Sequence, residues 1–285
     1  MRAIFVLTPS ESKRLIAKAV ARMEEVQRAR LEDFIFIAQG STNACVAEEI
    51  LGKPIDTDVY LSGLITRGVL CVTYDLEKPP LLLLEKGELK PPPPTMTELL
   101  RDFGPGSLFI KGANAVDPEG NVGILMASPE GGTIGYALGI LQARGVKLIV
   151  PVGLEKLIPS VRRAASHCGQ GTLYYSQGKR VGMMPLVNAT VVTEIEALRI
   201  LTGVEAVHLA SGGVNGSEGA VVLVADGSKE NLDKAIELTE SLKGLPPLKP
   251  RKGVCEECGP APPASPLCMY QGKKEEELPP FLRGR

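Results

Sequence analysis

The chain has 285 residues, of which 44% are hydrophobic and 23% charged, and its formal net charge is −1. This balance excludes the broad basic surface of a nucleic-acid-binding protein, and an aromatic content of 4% without tryptophan disfavours a base-stacking platform. No apolar run reaches the roughly 18 residues of a membrane span, and the N-terminus lacks a signal peptide's apolar stretch and cleavage site. We therefore expect a cytoplasmic globular protein that binds neither nucleic acid nor membrane.

The first part of the chain alternates helical and strand-like sequence. Residues 11–33 repeat apolar side chains at helical spacing, and Ser10 or Ser12 is the expected cap. The apolar run FIFIA then ends in the polar turn QGST (residues 39–42), and residues 43–52 are again helical. A strand, a glycine-containing turn and a helix form the first half of a βα unit.

Two further strand-like stretches and a short helix follow. Residues 58–74 and 81–85 predict antiparallel pairs or strands that cover the sheet. Residues 95–104 predict a helix capped by Thr95 or Thr97.

The region from residue 107 to residue 169 decides the fold class. Apolar runs at 107–110, 122–127 and 146–153 alternate with helical sequence at 131–145 and 158–169. Continuously apolar strands that alternate with helices are typical of parallel sheets buried on both sides. We expect an α/β protein with a mostly parallel open sheet that is covered by helices on both faces.

The pattern changes near residue 188, where a β-α-β-β-α order predicts a small α+β subdomain of the split βαβ kind. The sequence thus divides into an α/β main domain (1–187), this small subdomain (188–243) and a C-terminal tail with proline and cysteine (244–285).

Three polar loops follow predicted strands, where α/β sheets bind their ligands. Backbone N–H groups and hydroxyls at helix starts hold phosphate or carboxylate groups. Glycine, serine and asparagine also favour plain turns, so ordinary loops are the alternative. The candidate ligand-binding residues are Gly40, Ser41, Thr42 and Asn43 in the first loop, Gly112 and Asn114 in the second, and Gly131, Gly132 and Thr133 in the third.

Other common catalytic motifs are missing from the sequence. It has no dinucleotide fingerprint, no P-loop and no Gly-x-Ser-x-Gly elbow. The two histidines, His167 and His208, share no motif with a nucleophile, so we expect structural roles for both.

Three cysteines in the tail form the sharpest metal-like pattern. Cys255 and Cys258 have C-x-x-C spacing, and Cys268 follows ten residues later. A structural zinc site needs four ligands, so the fourth would come from elsewhere. Zinc or iron at this cluster is the one cofactor that the sequence indicates. Free thiols or a disulfide in a flexible tail remain the alternative.

Two of the loops resemble the superfamily of ribose-phosphate isomerases, glucosamine-phosphate deaminases and CoA transferases. FIAQGSTN (36–43) resembles the superfamily's phosphate-binding βα turn, and LFIKGANAVDPEGNVG (108–123) resembles its strand ending in Gly-Ala-Asp. GVKLIVPVGLEKLIPSV (145–161) is similar to a segment of the lactate-utilisation (LUD) domain, which shares this broad fold. The resemblance covers about residues 30 to 170.

The resemblance implies roles for residues of the second loop. In the isomerases the acidic groups of this segment transfer protons, but Asn114 stands where they have Asp and cannot act as a general base. Asp117 or Glu119 would take that role, and Lys111 would stabilise developing negative charge. In a CoA transferase, Glu119 or Glu130 would be the nucleophile.

We therefore expect a homodimeric enzyme that acts on a phosphate- or carboxylate-bearing small molecule, either a phosphorylated sugar or a CoA-linked carboxylate. Two alternatives stay open. One is a non-catalytic binding or regulatory module, which Asn114 favours. The other is a LUD-like partner of a redox complex whose cysteine tail binds metal.

Overall fold

The computed structural model of the chain describes residues 1–72, 80–250, 255–258 and 268–283. The described residues form a mixed α/β structure. Its strands are β1 Arg2–Leu7, β2 Phe34–Ile37, β3 Gly63–Thr66, β4 Val69–Val72, β5 Leu82–Glu85, β6 Glu88–Lys90, β7 Leu108–Ile110, β8 Ala115–Val116, β9 Val122–Met126, β10 Lys147–Pro151, β11 Gly182–Leu186, β12 Thr190–Val192, β13 Glu205–Gly212 and β14 Ala220–Asp226. Its helices are α1 Pro9–Arg22, α2 Glu24–Glu32, α3 Ser41–Leu51, α4 Met96–Leu99, α5 Gly132–Arg144, α6 Val161–Ser166, α7 Glu194–Thr202 and α8 Lys229–Ser241.

A six-stranded sheet in the order β12-β10-β7-β2-β5-β6 organises the molecule. Its first four strands run parallel, whereas β5 and β6 add an antiparallel edge. The α/β class and the mostly parallel central sheet are confirmed. None of the helices in the described ranges has the length and apolarity that crossing a membrane requires.

Side chains of the central strands alternate between two hydrophobic clusters. Ile35 and Ile37 of β2 belong to a cluster that includes buried residues of α1, α3 and α7. Phe36, between them, belongs to a second cluster with α4 and α5, and its ring lies 4.5 Å from that of Phe109. Successive side chains of a strand point to opposite faces of the sheet, and here each face packs into an apolar cluster. These strands are therefore apolar at every position.

The helix predicted over residues 11–33 is two helices. Met23 has an extended backbone (φ −59°, ψ 138°) that separates α1 from α2. The predicted caps Ser10 and Ser12 are wrong, because α1 begins earlier and Thr8 caps it in a capping box with Glu11. Pro9 occupies the first turn of α1, where its missing N–H is tolerated.

Two small antiparallel arrangements lie outside the central sheet. β9 pairs with β8 and β11, so the loop after β7 contains a short hairpin. β3 and β4 form a second hairpin, as an antiparallel pair was predicted there. The end of the predicted strand 58–74 lies outside the described residues. Thr95 caps α4, as predicted.

Residues 188–243 have the predicted β-α-β-β-α order, but their strands join different sheets. β12 extends the central sheet beside β10. β13 and β14 form a three-stranded antiparallel sheet with β1. The predicted domain boundaries remain a prediction.

The cap of α1 gives a direct test of this local structure. Thr8→Ala should destabilise the protein by about 1 kcal/mol, because it leaves an orphan N–H at the helix start. Ser10→Ala, at one of the caps expected from sequence, is the matched control and should stay within about 0.5 kcal/mol of the parent. Urea denaturation measures both, and equal effects would contradict the cap assignment.

Candidate functional site

A cavity of about 410 Å³ lies at the carboxyl ends of β2 and β7, which is where α/β sheets bind ligands. Its walls come from the start of α3, the segment after β7, the start of α5 and strand β4. All nine predicted ligand-binding residues line it, as does Lys111: Gly40, Ser41, Thr42, Asn43, Gly112, Asn114, Gly131, Gly132 and Thr133. Three loops far apart in sequence thus surround one space.

The start of α3 brings unpaired polar atoms to the cavity. The first N–H groups of a helix have no intrahelical partners. At α3 no side chain caps them either. The Asn43 amide donates a 2.7 Å hydrogen bond to the Ala38 carbonyl, which fixes its side chain. Its Oδ1 and the Thr42 hydroxyl are buried without a partner in the described structure. Buried polar atoms of this kind call for an explanation, and a bound ligand is one.

The start of α5 provides a second helix N-terminus at the same cavity. Its cap residue, Gly131, has φ +82°, a left-handed conformation that favours glycine. No side chain caps this end either, and Gly131, Gly132 and Thr133 line the cavity. Two uncapped helix N-termini therefore contribute partial positive charge to one space.

Three lysines, each half-buried, add full charges. Lys111 follows β7, Lys156 lies in a 3-10 helix after β10, and Lys179 precedes β11; all three line the cavity. The Lys156 ammonium donates to the Ala113 carbonyl at 3.1 Å. The Lys111 ammonium has neither a hydrogen bond nor an ion pair within the described part of the chain.

The environment of Lys111 lowers the pKa of its ammonium group. Burial, and after it the neighbouring ammonium of Lys156, lower the pKa of Lys111 to about 8. Burial also lowers the pKa of Lys156, while Glu155 opposes that change.

Sequence reasoning missed Lys156 and Lys179. Lys156 follows the carboxyl end of a predicted strand, so the rule that identified the three polar loops was sufficient to find it. Lys179 had no such signal, because a contact between Leu70 and Gly178 brings its segment to the cavity.

Asp117 is held in the hairpin by hydrogen bonds to both carboxylate oxygens, and its catalytic role remains a prediction. One carboxylate oxygen accepts the N–H groups of Glu119 (3.1 Å) and Asn121 (2.9 Å). The other accepts the Asn121 amide and the N–H of Val161 at the start of α6. Burial alone would raise the pKa of Asp117, but these hydrogen bonds outweigh it and lower the pKa. A carboxylate so fully occupied is a poor proton acceptor, and it does not line the cavity.

The other candidates of the second and third loops lie in different places relative to the cavity. Glu119 is exposed, accepts the Asn121 amide at 3.2 Å and does not line the cavity. Asn114 does line it, and its Oδ1 accepts the N–H of Leu125 at 3.0 Å, which joins β9 to the loop. Glu130 is the one carboxylate among the described residues of the lining, and it is exposed.

Two carboxylates, one fully buried and one half-buried, lie next to Lys156. Glu194 is fully buried, and its Oε2 accepts the N–H of Leu154 at 2.9 Å. Glu155 lies 3.5 Å from the Lys13 ammonium and 3.9 Å from that of Lys156. Burial, and next the charge of Glu155, raise the pKa of Glu194 to about 7. The raised pKa means that Glu194 binds a proton at a higher pH than an ordinary carboxyl group does.

Gly153 makes room for this pair. A Cβ at Gly153 would lie 1.8 Å from Glu155 Oε2 and 3.1 Å from Glu194 Oε1. These two oxygens are buried without a partner in the described structure. Any side chain at position 153 would displace one of the carboxylates.

The cysteine tail is partly packed against the body of the protein. Cys255 and Cys268 contact a small cluster of Val69, Tyr270 and neighbouring apolar side chains. The described residues include no group of three or more histidine, cysteine or acidic side chains placed to hold a metal. Zinc or iron at Cys255, Cys258 and Cys268 remains a prediction.

Asp117→Asn should destabilise the protein at neutral pH, since it removes a charged acceptor of buried N–H groups, by about 1–3 kcal/mol. A lowered pKa in the folded state means that the carboxylate's contribution is present above about pH 4 and is lost in more acidic solution. The difference in the free energy of unfolding between variant and parent should therefore become smaller as the pH falls below about 4. Denaturation midpoints measure it, with exposed Asp102→Asn as the neutral control. A difference that does not change with pH would contradict the structural role.

Glu194→Gln should change the pH dependence of stability in the opposite direction. The folded pKa lies above the ordinary value of about 4.3, so the folded parent binds more protons and loses stability as the pH rises toward 7. Glutamine has no such proton to lose. The stability of the variant relative to the parent should therefore rise by up to a few kcal/mol between about pH 5 and pH 8.

Exposed Glu237→Gln is the control for this measurement and should follow the parent at every pH. A constant difference between Glu194→Gln and the parent would show that Glu194 is ionised in the folded state throughout.

Comparison with known proteins finds no match for the chain. The chain matches no protein-family model, and no curated protein or solved structure matches it either. The interpretation of the cavity therefore rests on its own residues: two helix N-termini, three lysines and a set of buried polar atoms without partners.

Proposed function

We propose that the cavity binds the anionic group of a small molecule, and that the protein is an enzyme acting on a phosphorylated sugar or a CoA-linked carboxylate. An isomerase or transferase type of reaction fits the resemblance of its loops. The observation that carries the proposal is the convergence of two uncapped helix N-termini and three lysines on one cavity.

The charge of the lining favours an anion. Lys111, Lys156 and Lys179 face a single exposed carboxylate, Glu130, among the described lining residues. Helix N-termini bind phosphate through their free N–H groups and their dipole. The unpartnered Thr42 hydroxyl adds a donor at the start of α3.

The size of the cavity favours the sugar phosphate over the CoA derivative. Small-molecule sites range from about 300 to 1,000 Å³, so about 410 Å³ suits a compact ligand. A CoA thioester would place only its acyl end inside. We therefore rank the phosphorylated sugar first.

The proposal also covers the fold, the oligomeric state and the cellular location. We propose an arrangement like that of the ribose-phosphate isomerase, glucosamine-phosphate deaminase and CoA-transferase superfamily, with an open sheet covered by helices on both faces and a split βαβ-like subdomain. The two side-chain clusters on alternate positions of β2 support this arrangement. We also propose a cytoplasmic homodimer, on the sequence arguments given above.

A non-catalytic ligand-binding module is the second candidate, and one observation favours it. Asn114 occupies the place of the isomerases' Asp, and Asp117 is engaged in the hairpin. A protein that kept the pocket and lost the proton-transfer acid would have these features. Measured turnover separates the two candidates, because only the enzyme converts a ligand that binds.

Thr42→Val tests the anion site, because it removes the buried hydroxyl and keeps the shape of the side chain. Without ligand the variant should be as stable as the parent or more stable, since no hydrogen bond of this hydroxyl is lost. Its affinity for inorganic phosphate or ribose 5-phosphate should fall about tenfold. Thermal shift and calorimetry measure the two effects, since a ligand of the native state raises the melting midpoint.

Thr202→Val is the matched control, because the Thr202 hydroxyl donates to Leu198 at 2.7 Å and does not line the cavity. It should lower stability and leave the affinity unchanged. The anion site is refuted if neither ligand shifts the melting midpoint of the parent protein.

A further inference from the structure

The titratable groups of the cavity are mostly amines. Within the described lining these groups are Lys111, Lys156, Lys179, Cys71 and Glu130. Glu130 is exposed, and its carboxylate accepts a 2.7 Å hydrogen bond from Ser128 at the rim. Proton transfer by Asp117 or Glu119, which the loop resemblance implied, thus lacks a carboxylate of that loop at the cavity.

Lys111 differs from Lys156 in having no compensating partner in the described structure. The Lys156 ammonium is held by the Ala113 carbonyl and lies 3.9 Å from Glu155. The backbone N–H of Lys111 donates to Ile149 at 3.0 Å and fixes the residue at the end of the central strand β7. Its side chain is half-buried and reaches the cavity without an acceptor in the described structure.

The surroundings of Lys111 favour the neutral amine. A lysine becomes nucleophilic when it is desolvated or lies near a second cation, and here both conditions hold. With a pKa of about 8, Lys111 has on the order of a hundredfold more free amine near neutral pH than an exposed lysine. Apolar side chains of Ile124, Ile134 and Val181 form part of the same lining and limit the access of water.

We propose that Lys111 is a nucleophilic amine that forms a Schiff base with the carbonyl group of a small phosphorylated aldehyde or ketone. This inference rests on the proposed function, because the helix N-termini of α3 and α5 hold the phosphate. It makes Lys111 a catalytic residue with a role different from the charge stabilisation expected from its loop.

The step balances without an added reactant. The amine lone pair forms an N–C bond to the carbonyl carbon, and a proton moves from nitrogen to the former carbonyl oxygen. The carbinolamine then loses that oxygen as water and leaves a C=N bond. Protonation of the imine nitrogen gives an iminium ion, which withdraws electrons from the adjacent carbon.

Reductive trapping tests the proposal. The full chain is incubated with dihydroxyacetone phosphate and sodium cyanoborohydride near neutral pH, and the adducts are located by peptide mass spectrometry. We expect a reduction-dependent adduct on Lys111 that is absent in Lys111→Arg. Lys147→Arg is the matched control and should leave the adduct unchanged, since Lys147 lies at the other end of β10 in an ion pair with Glu25.

The phosphate should direct the reaction. Dihydroxyacetone without phosphate, or added inorganic phosphate as a competitor, should lower the labelling of Lys111 about tenfold. Equal labelling of exposed lysines, or an adduct that persists in Lys111→Arg, would overturn the proposal.

A measurement on the parent protein keeps the test independent of the variant's folding. Acetylation by acetic anhydride over a pH series should titrate Lys111 with a midpoint near 8, whereas a lysine model peptide titrates near about 10.4. A common midpoint would overturn the proposal. If inorganic phosphate raises the melting midpoint but no Lys111 adduct forms, the Schiff base is wrong and the anion site stands. If neither occurs, both proposals fail.

Discussion

The parallel pairing of β2, β7 and β10 is the constraint on which the site depends. Its register places Ile37, Ile110 and Ile149 in one row across the sheet. The chain therefore leaves β2 and β7 at the same edge, and the segment after β10 starts close by. Because a shift of one residue would exchange the two faces of a strand, the apolar clusters on both sides hold this register. The position of Lys111 beside the start of α3 follows from backbone pairing before any ligand is bound.

Gathering positive charge at this edge carries an electrostatic cost that the protein offsets behind the cavity. Lys111 and Lys156 repel each other, and burial disfavours both charges. Glu155 lies within ion-pair distance of Lys156 and Lys13, and its charge raises the pKa of Glu194. The arrangement stabilises one ammonium and leaves the other, Lys111, without a counter-charge.

Much of the site was predictable from sequence, because its backbone parts depend on local patterns. Gly40 and Gly131 follow strands and precede helices, and that order alone indicates an anion loop. The side-chain chemistry was not predictable in the same way. Asp117 is equally compatible with a base or a turn, and only its four hydrogen-bond donors identify the turn. Lys179 reaches the cavity through the contact of Gly178 with Leu70, which no local pattern encodes.

The pairing of β1 with β14 has a consequence for how the chain is made. Arg2 lies opposite Asp226, and their side chains are 224 positions apart in sequence. At a synthesis rate of about 5–20 residues per second, the first strand waits roughly 10 to 45 s for its partner to leave the ribosome. During that time Phe5 and Leu7, which are buried in the finished protein, have no sheet to join. Because β1 pairs with β14, this pairing can form only after residue 226 has been synthesised.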